Sequence, residues 1–175
     1  TPTFRPAIRV LGDVLIKRGK QAELEALAEL LMKDEQLCSE GMLLSGQLSA
    51  VRGDLEASRH ALEDAVRLAP GDLDLLRAVS QILCSRDDAV TAREYLEDLT
   101  RRAPEDASAQ HDLGTVYLQT RDFPKSIRAL RESLRIRPDH PSTLLNLAFA
   151  QKENGQRDDA LATLSRILQI APHHA

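Results

Sequence analysis

The chain has 175 residues, 42% of them hydrophobic and 29% charged, and its 23 basic and 27 acidic side chains leave a net charge of −4. A core can be buried with this composition, and no apolar run approaches the roughly 18 residues of a membrane span, so a membrane role is not expected. With two tyrosines, three phenylalanines, no tryptophan and no overall basic surplus, the stacking, cationic surface of a nucleic-acid binder is not expected either.

In chain order, Pro6 stands where a first helix should begin, since proline at the first helical position forgoes an N–H that has no partner there. Gly19 stands where that helix should stop. The second stretch is the clearest: Leu43, Leu44, Leu48 and Val51 recur at helical spacing and predict a helix over 40–52. Gly53 ends it by taking a left-handed conformation, and Asp54 caps the next helix, which carries Leu55, Leu62, Ala65, Val66 and Leu68 up to Pro70. Asp72 and Asp106 precede two further helices, Pro124 and Pro141 open later ones, and Gly155 repeats the stop of Gly19 and Gly53. Valine and isoleucine never alternate in runs bounded by turn residues, so no strand is predicted.

These signals share a period. Pro70, Pro104, Pro138 and Pro172 are spaced by 34 residues, and each is preceded at a fixed distance by a small residue: Gly46, Ser80, Gly114 and Ala148. Gly12 occupies that slot one period earlier. Eight residues before each proline stand Leu62, Leu96, Leu130 and Leu164, with Ala28 in the first unit. A period of this length marks a helix-turn-helix solenoid.

On these residues the chain resembles the tetratricopeptide repeat family, over five units at about 5–38, 39–72, 73–106, 107–140 and 141–174. The family's small slot on the second helix holds Ser58, Ala92, Ser126 and Ala160, with Leu24 departing. Its early bulky slot holds Ile8, Met42, Leu76 and Leu144, with Gln110 departing, and its aromatic slot is filled only by Tyr117. The first unit ends in Gln36 instead of proline. The resemblance implies an all-α fold, a right-handed α-α superhelix of about five repeats in a single domain over 1–175. It also implies a protein–protein interaction scaffold that holds a peptide or partner protein in a concave groove.

Carried over slot by slot, the family's groove falls on Arg9, Asp13, Leu43, Gln47, Arg77, Gln81, His111, Thr115, Asn146 and Phe149, and the large aromatic Phe149 is the strongest anchor among them. The lysine and asparagine clamp for a terminal carboxylate is not matched, because Arg9, Asp13 and Leu44 stand in its places. An asparagine ladder is not matched either: Val10, Leu44, Ala78, Asp112 and Asn146 fill those slots. The last helix carries Leu161, Leu168 and Ile170, which should be exposed unless another chain or a further segment covers them. They are the expected self-association surface. An alternative reading is a recruiting or oligomerisation arm of a larger enzyme, such as a bacterial glycosyltransferase.

Counted by unit, the net charge is 0, −3, −3, +2 and 0. The basic fourth unit, with Lys125, Arg128, Arg131, Arg135 and Arg137, reads as a solvated face of intrahelical pairs or as a face for an acidic partner. No catalytic motif is found: HExxH, GxSxG and a phosphate-cradling glycine loop are absent, so no enzyme activity, cofactor or metal site is expected. Adjacent His111 and Asp112 diverge by about 100° on a helix and cannot form a relay. His173 and His174 read as the linker after Pro172. Cys38 and Cys84 have neither CxxC nor metal-ligand spacing and are expected as free thiols. The chain opens on Thr1 and reads as a piece of a longer, cytoplasmic protein.

Overall fold

A computed structural model describes residues 4–85 and 88–170; Pro172, His173 and His174 lie outside the described residues. The chain divides into two compact units, Thr1–Arg86 and Asp87–Ala175. The first holds α1 (Arg5–Lys17), α2 (Gln21–Met32), α3 (Cys38–Arg52), α4 (Leu55–Leu68) and α5 (Leu73–Ser85). The second holds α6 (Ala89–Arg102), α7 (Ala107–Gln119), α8 (Phe123–Ile136), α9 (Pro141–Glu153) and α10 (Arg157–Ile170). Among the described residues there is no strand, and no helix is long and apolar enough to cross a membrane.

Local chemistry sets the boundaries. Asp54, Asp88 and Asp122 recur at the 34-residue period, and each carboxylate accepts the backbone N–H three residues on, from Ala57, Thr91 and Lys125. Asp72 and Asp106 do the same for Leu75 and Ala109. Such caps satisfy N–H groups that the helix leaves unpaired, each contributing about 1 kcal/mol. Pro6, Pro124 and Pro141 all lie within the first two helical positions.

The turns inside four of the helix pairs are also periodic. The N–H groups of Lys20, Asp54, Asp122 and Gln156 reach back to the carbonyls of Leu15, Ser49, Tyr117 and Gln151 at 2.8–3.0 Å, the wider of the two bonds of a Schellman closure. The residue before each donor must then be left-handed: Gly19, Gly53 and Gly155 have φ of 68°, 84° and 82°. In the fourth unit the slot is filled by Arg121, at φ 59°. A side chain there costs about 1–2 kcal/mol, partly offset by the greater freedom that glycine would lose on folding. Arg121 is exposed, so Arg121→Gly should stabilise the chain by about 0.5–1 kcal/mol, read as a higher urea midpoint with unchanged slope.

One contact explains why small residues recur. In both units the first helix of a pair crosses the second where it lacks a side chain: a β-carbon built on Gly46 would lie 2.8 Å from Leu62 Cγ, and one on Gly114 would lie 2.5 Å from Leu130 Cγ. The small residue on the opposite helix completes the contact, as the hydroxyls of Ser58 and Ser126 donate to the Gly46 and Gly114 carbonyls at 2.8 Å. Leucine at the crossing fills the space that glycine leaves. The first unit also packs Leu15, Leu24, Ala28, Leu31, Leu44 and Leu48 together, and in the second Leu130 packs with Ile127, Leu134, Leu144, Leu147 and Ala150. Each fully buried leucine contributes roughly 1.5–3 kcal/mol of transfer free energy. Gln36, which stands where the other units have proline, lies in the turn before α3, and its N–H bonds Asp34 Oδ1 at 2.8 Å. A capped turn closes the first unit without the ring.

Candidate docking faces

In the first unit, α1, α3 and α5 bring Arg9, Asp13, Gln47 and Gln81 to one cleft of about 270 Å³. Asp13 accepts from Gln47 Nε2 at 3.2 Å, while the buried Gln47 Oε1 has no hydrogen-bond partner among the described residues. Gln81 is exposed. Arg77 does not line this cleft; its guanidinium pairs with Asp74, one turn earlier on α5, at 2.6 Å. Leu43 was expected to offer an apolar contact, and here the structure corrects the sequence reading. Leu43 lies in the wall of the cleft, but its side chain is 0% exposed, because neighbouring side chains cover it and leave it no open apolar surface.

Arg9 is committed to a network that the spacing did not reveal. Its Nε and Nη2 donate to the two oxygens of Glu40 at 2.9 and 2.6 Å, and Nη2 also donates to Asp72 Oδ2 at 2.9 Å. Arg5 Nη1 donates to the same Asp72 oxygen at 3.0 Å, and its Nη2 to the Gln36 carbonyl at 2.8 Å. Glu40 is 0% exposed. Burial works against the charge on Arg9, yet the hydrogen bonds and charges of Glu40 and Asp72 outweigh it and raise the guanidinium above its ordinary value. Asp72 is lowered in spite of burial, by the Leu75 N–H and by Arg9 and Arg5. A fork-shaped cation against a carboxylate is the geometry in which arginine binds best. The network ties the start of α3 and the residue before α5 to α1, and so shapes the neighbouring cleft of about 520 Å³ beside Pro6, Leu37 and Leu68.

In the second unit α7 and α9 place three of the expected residues in one hydrogen-bonded cluster. Thr115 Oγ1 donates to the His111 carbonyl at 3.0 Å and accepts from Asn146 Nδ2 at 3.0 Å. Thr143 Oγ1 lies 2.9 Å from His111 Nδ1 and 3.0 Å from His140 Nδ1, and the two rings meet edge to face at 5.8 Å. One hydroxyl has one proton, so one imidazole must supply the Nδ1–H of its own bond. Burial, then the charges of His140 and Arg137, hold His111 below the usual histidine range. Its sequence neighbour Asp112 is pushed up to about 6 by burial and by the charge of Asp106.

Phe149, on α9, is 51% exposed, with the Lys152 ammonium 5.9 Å from its ring centroid. Together with Leu145, Leu161 and Leu164 it lines an apolar cleft of about 660 Å³ between α9 and α10. Leu161, Leu168 and Ile170 are 63%, 68% and 39% exposed. Leu145 and Leu164 were not among the expected site residues. Leu145 stands one period after His111, in the slot directly before Asn146, so the 34-residue frame held the signal.

Three of the five cations named in the basic repeat are paired. Lys125 meets Asp122 at 3.0 Å, Arg135 meets Glu105 and Glu132 at 2.6 and 2.7 Å, and Arg131 lies 3.7 Å from Asp159. Neither Cys38, at the start of α3, nor Cys84, near the end of α5, forms a disulfide. Among the described residues no group of histidine, cysteine and carboxylate side chains is arranged to hold a metal.

Helix pairs that repeat the same crossing, cap and turn every 34 residues define an α-helical repeat protein. Family models described as tetratricopeptide repeat match residues 91–141 and 117–175, so the repeats of that stretch belong to the tetratricopeptide repeat family. Among solved structures, MamA 41-end from Desulfovibrio magneticus RS-1 is 18% identical with a TM-score of 0.78, covering 97% of this chain and 96% of that one. MamA AMB-1 is 16% identical with a TM-score of 0.75, covering 100% and 96%. YrrB, described as a TPR protein with an unusual peptide-binding site, is 16% identical with a TM-score of 0.75, covering 93% and 84%. At such identities the likeness is one of fold. No curated protein matches the sequence.

Proposed function

We propose that this chain is a protein–protein interaction scaffold whose first helices present docking faces to a peptide or partner protein. The observation that carries the reading is Phe149: a half-exposed aromatic in an apolar cleft, beside the polar cluster of His111, Thr115 and Asn146. Large aromatics seated in clefts with polar rims are where binding energy concentrates. In the first unit the amides of Gln47 and Gln81 and the carboxylate of Asp13 offer hydrogen bonds to an extended backbone. Arg9, already tied to Glu40 and Asp72, shapes that face and does not clamp a terminal carboxylate. YrrB, a TPR protein with an unusual peptide-binding site and a similar fold, is consistent with such use.

Peptides selected from a random library against the 175-residue chain should lose about 30-fold in affinity on Phe149→Ala, the effect of removing one hot-spot side chain. Stability should hardly change, because the ring is half in solvent. Selected peptides indifferent to Phe149→Ala, and equally indifferent to Gln47→Ala and Gln81→Ala, would place binding outside these faces and end the reading.

A second reading, self-association through α10, is favoured by a different observation. Leu161 and Leu168 are each more than 60% exposed on the same helix face, a continuous apolar surface of the kind that marks interaction sites.

A further inference from the structure

We infer that the α9–α10 face is filled by α1 of a second copy of this chain, in the register that α9 uses on α7 and α8. The inference rests on the reading of the Phe149–Leu168 face as a docking surface and names its occupant.

The internal junction supplies the template. Where α9 seats on α8, it buries Ile127, Leu130 and Leu134 to 5%, 0% and 9% exposure. It does so with Thr143, Leu147 and Ala150, themselves 1%, 5% and 0% exposed. One period later the receiving positions are Leu161, Leu164 and Leu168, and they stand open at 63%, 41% and 68%. Four periods earlier the inserting positions are Ala7, Leu11 and Val14 on α1. Leu11 and Val14 are 46% and 38% exposed and Ala7 is exposed as well. Among the described residues the chain therefore carries both halves of a junction it already makes internally, and both are exposed.

The chemistry of the two open halves has changed together. In the internal junction the contacts beside the leucines are polar: Asn146 donates to Thr115, and Thr143 bonds His111. The periodic counterpart of Asn146 is Val10, 62% exposed, and that of Thr115 is Phe149, 51% exposed. The counterpart of Thr143 is Ala7, and that of His111 is Leu145, 53% exposed. A hydrogen-bonded pair is replaced on both faces by an apolar pair, so neither half leaves a buried polar group unmatched. His140, which packs on His111, corresponds to Phe4, 63% exposed. A partner of unrelated sequence would give no reason for apolar residues at these α1 positions.

Such a contact joins different surfaces of the two copies, so it propagates from copy to copy instead of closing as an isologous dimer.

The test is sedimentation equilibrium of the 175-residue chain in moderate salt, with far-UV circular dichroism to confirm folding. The wild type is expected to form a concentration-dependent series of oligomers. Val10→Glu and Phe149→Glu, both on half-exposed positions, are each expected to weaken self-association by roughly 30-fold or more. Mixed in equal amounts they should form one-to-one dimers and nothing larger, because the intact α1 of Phe149→Glu meets the intact tail of Val10→Glu. If Val10→Glu associates like the wild type while Phe149→Glu does not, the partner surface is not α1 and the inference fails. A wild type that stays monomeric to about 100 μM, a range in which weak interfaces still associate, overturns it too. In that case a loss of selected peptides on Phe149→Ala would still leave the docking-face reading standing.

Discussion

Arg9→Ala should destabilise the chain by about 3–5 kcal/mol, the cost of leaving a buried ion without its partner. The reason is Glu40, whose carboxylate is 0% exposed and has both oxygens on the Arg9 guanidinium. With the fork gone, the charge has neither water nor a cation, while Asp72 retains Arg5 and the Leu75 N–H. The double variant Arg9→Met/Glu40→Met should recover most of the loss, since apolar side chains of similar volume replace a buried pair at little cost and sometimes with a gain. Urea denaturation of the single and double variants reads both effects. A single variant within about 0.5 kcal/mol of wild type, the range of ordinary surface substitutions, would show that the pair is solvated in solution.

Asp112→Asn should raise stability at pH 7 by about 2 kcal/mol and leave it unchanged near pH 4. The carboxyl stands at about 6 in the folded chain against an ordinary 3.8, chiefly through burial and secondly through Asp106. A raised carboxyl favours the protonated form when folded. Below the unfolded value both states hold the proton and folding is unaffected. Between the two values the unfolded chain ionises first, so stability falls as pH rises, and above about 6 the full penalty is present. Two pKa units correspond to nearly 3 kcal/mol, reduced here because part of the side chain reaches water. His111 acts in the opposite direction. Its lowered value means that stability is lost as pH falls below the ordinary histidine range, since the unfolded chain takes up that proton first. The wild type should therefore show a shallow extremum between these windows, and Asp112→Asn should convert it to a monotonic rise with pH. Midpoints measured from pH 4 to 8 would show this, and parallel profiles for the two proteins would refute the assignment.

Much of the fold was legible because a solenoid repeats local solutions. Gly53, Asp54, Pro70 and Leu62 each act on atoms within a few residues or on the facing helix of the same pair, and a period of 34 returns that chemistry in each unit. The periodic frame also located the open leucines of α10 and the aromatic of α9. It did not show that Leu43, in the wall of the first unit's cleft, is fully covered, because a slot number does not say which neighbour will cover the side chain, and it passed over Leu145, one slot from Asn146.

The sequence by itself determined the helices, their caps and stops, the small-against-leucine crossing and the apolar stripe of the last helix, since these depend on short-range sterics and hydrogen bonds. Tertiary structure alone decided that Arg9 belongs to Glu40 and Asp72, 31 and 63 residues away, and that Thr143 is shared by two histidines. It also decided that Val10 and Phe149 remain in solvent where Asn146 and Thr115 bond each other. Charge pairing and burial are set by which helices meet, and that packing cannot be read from a single repeat.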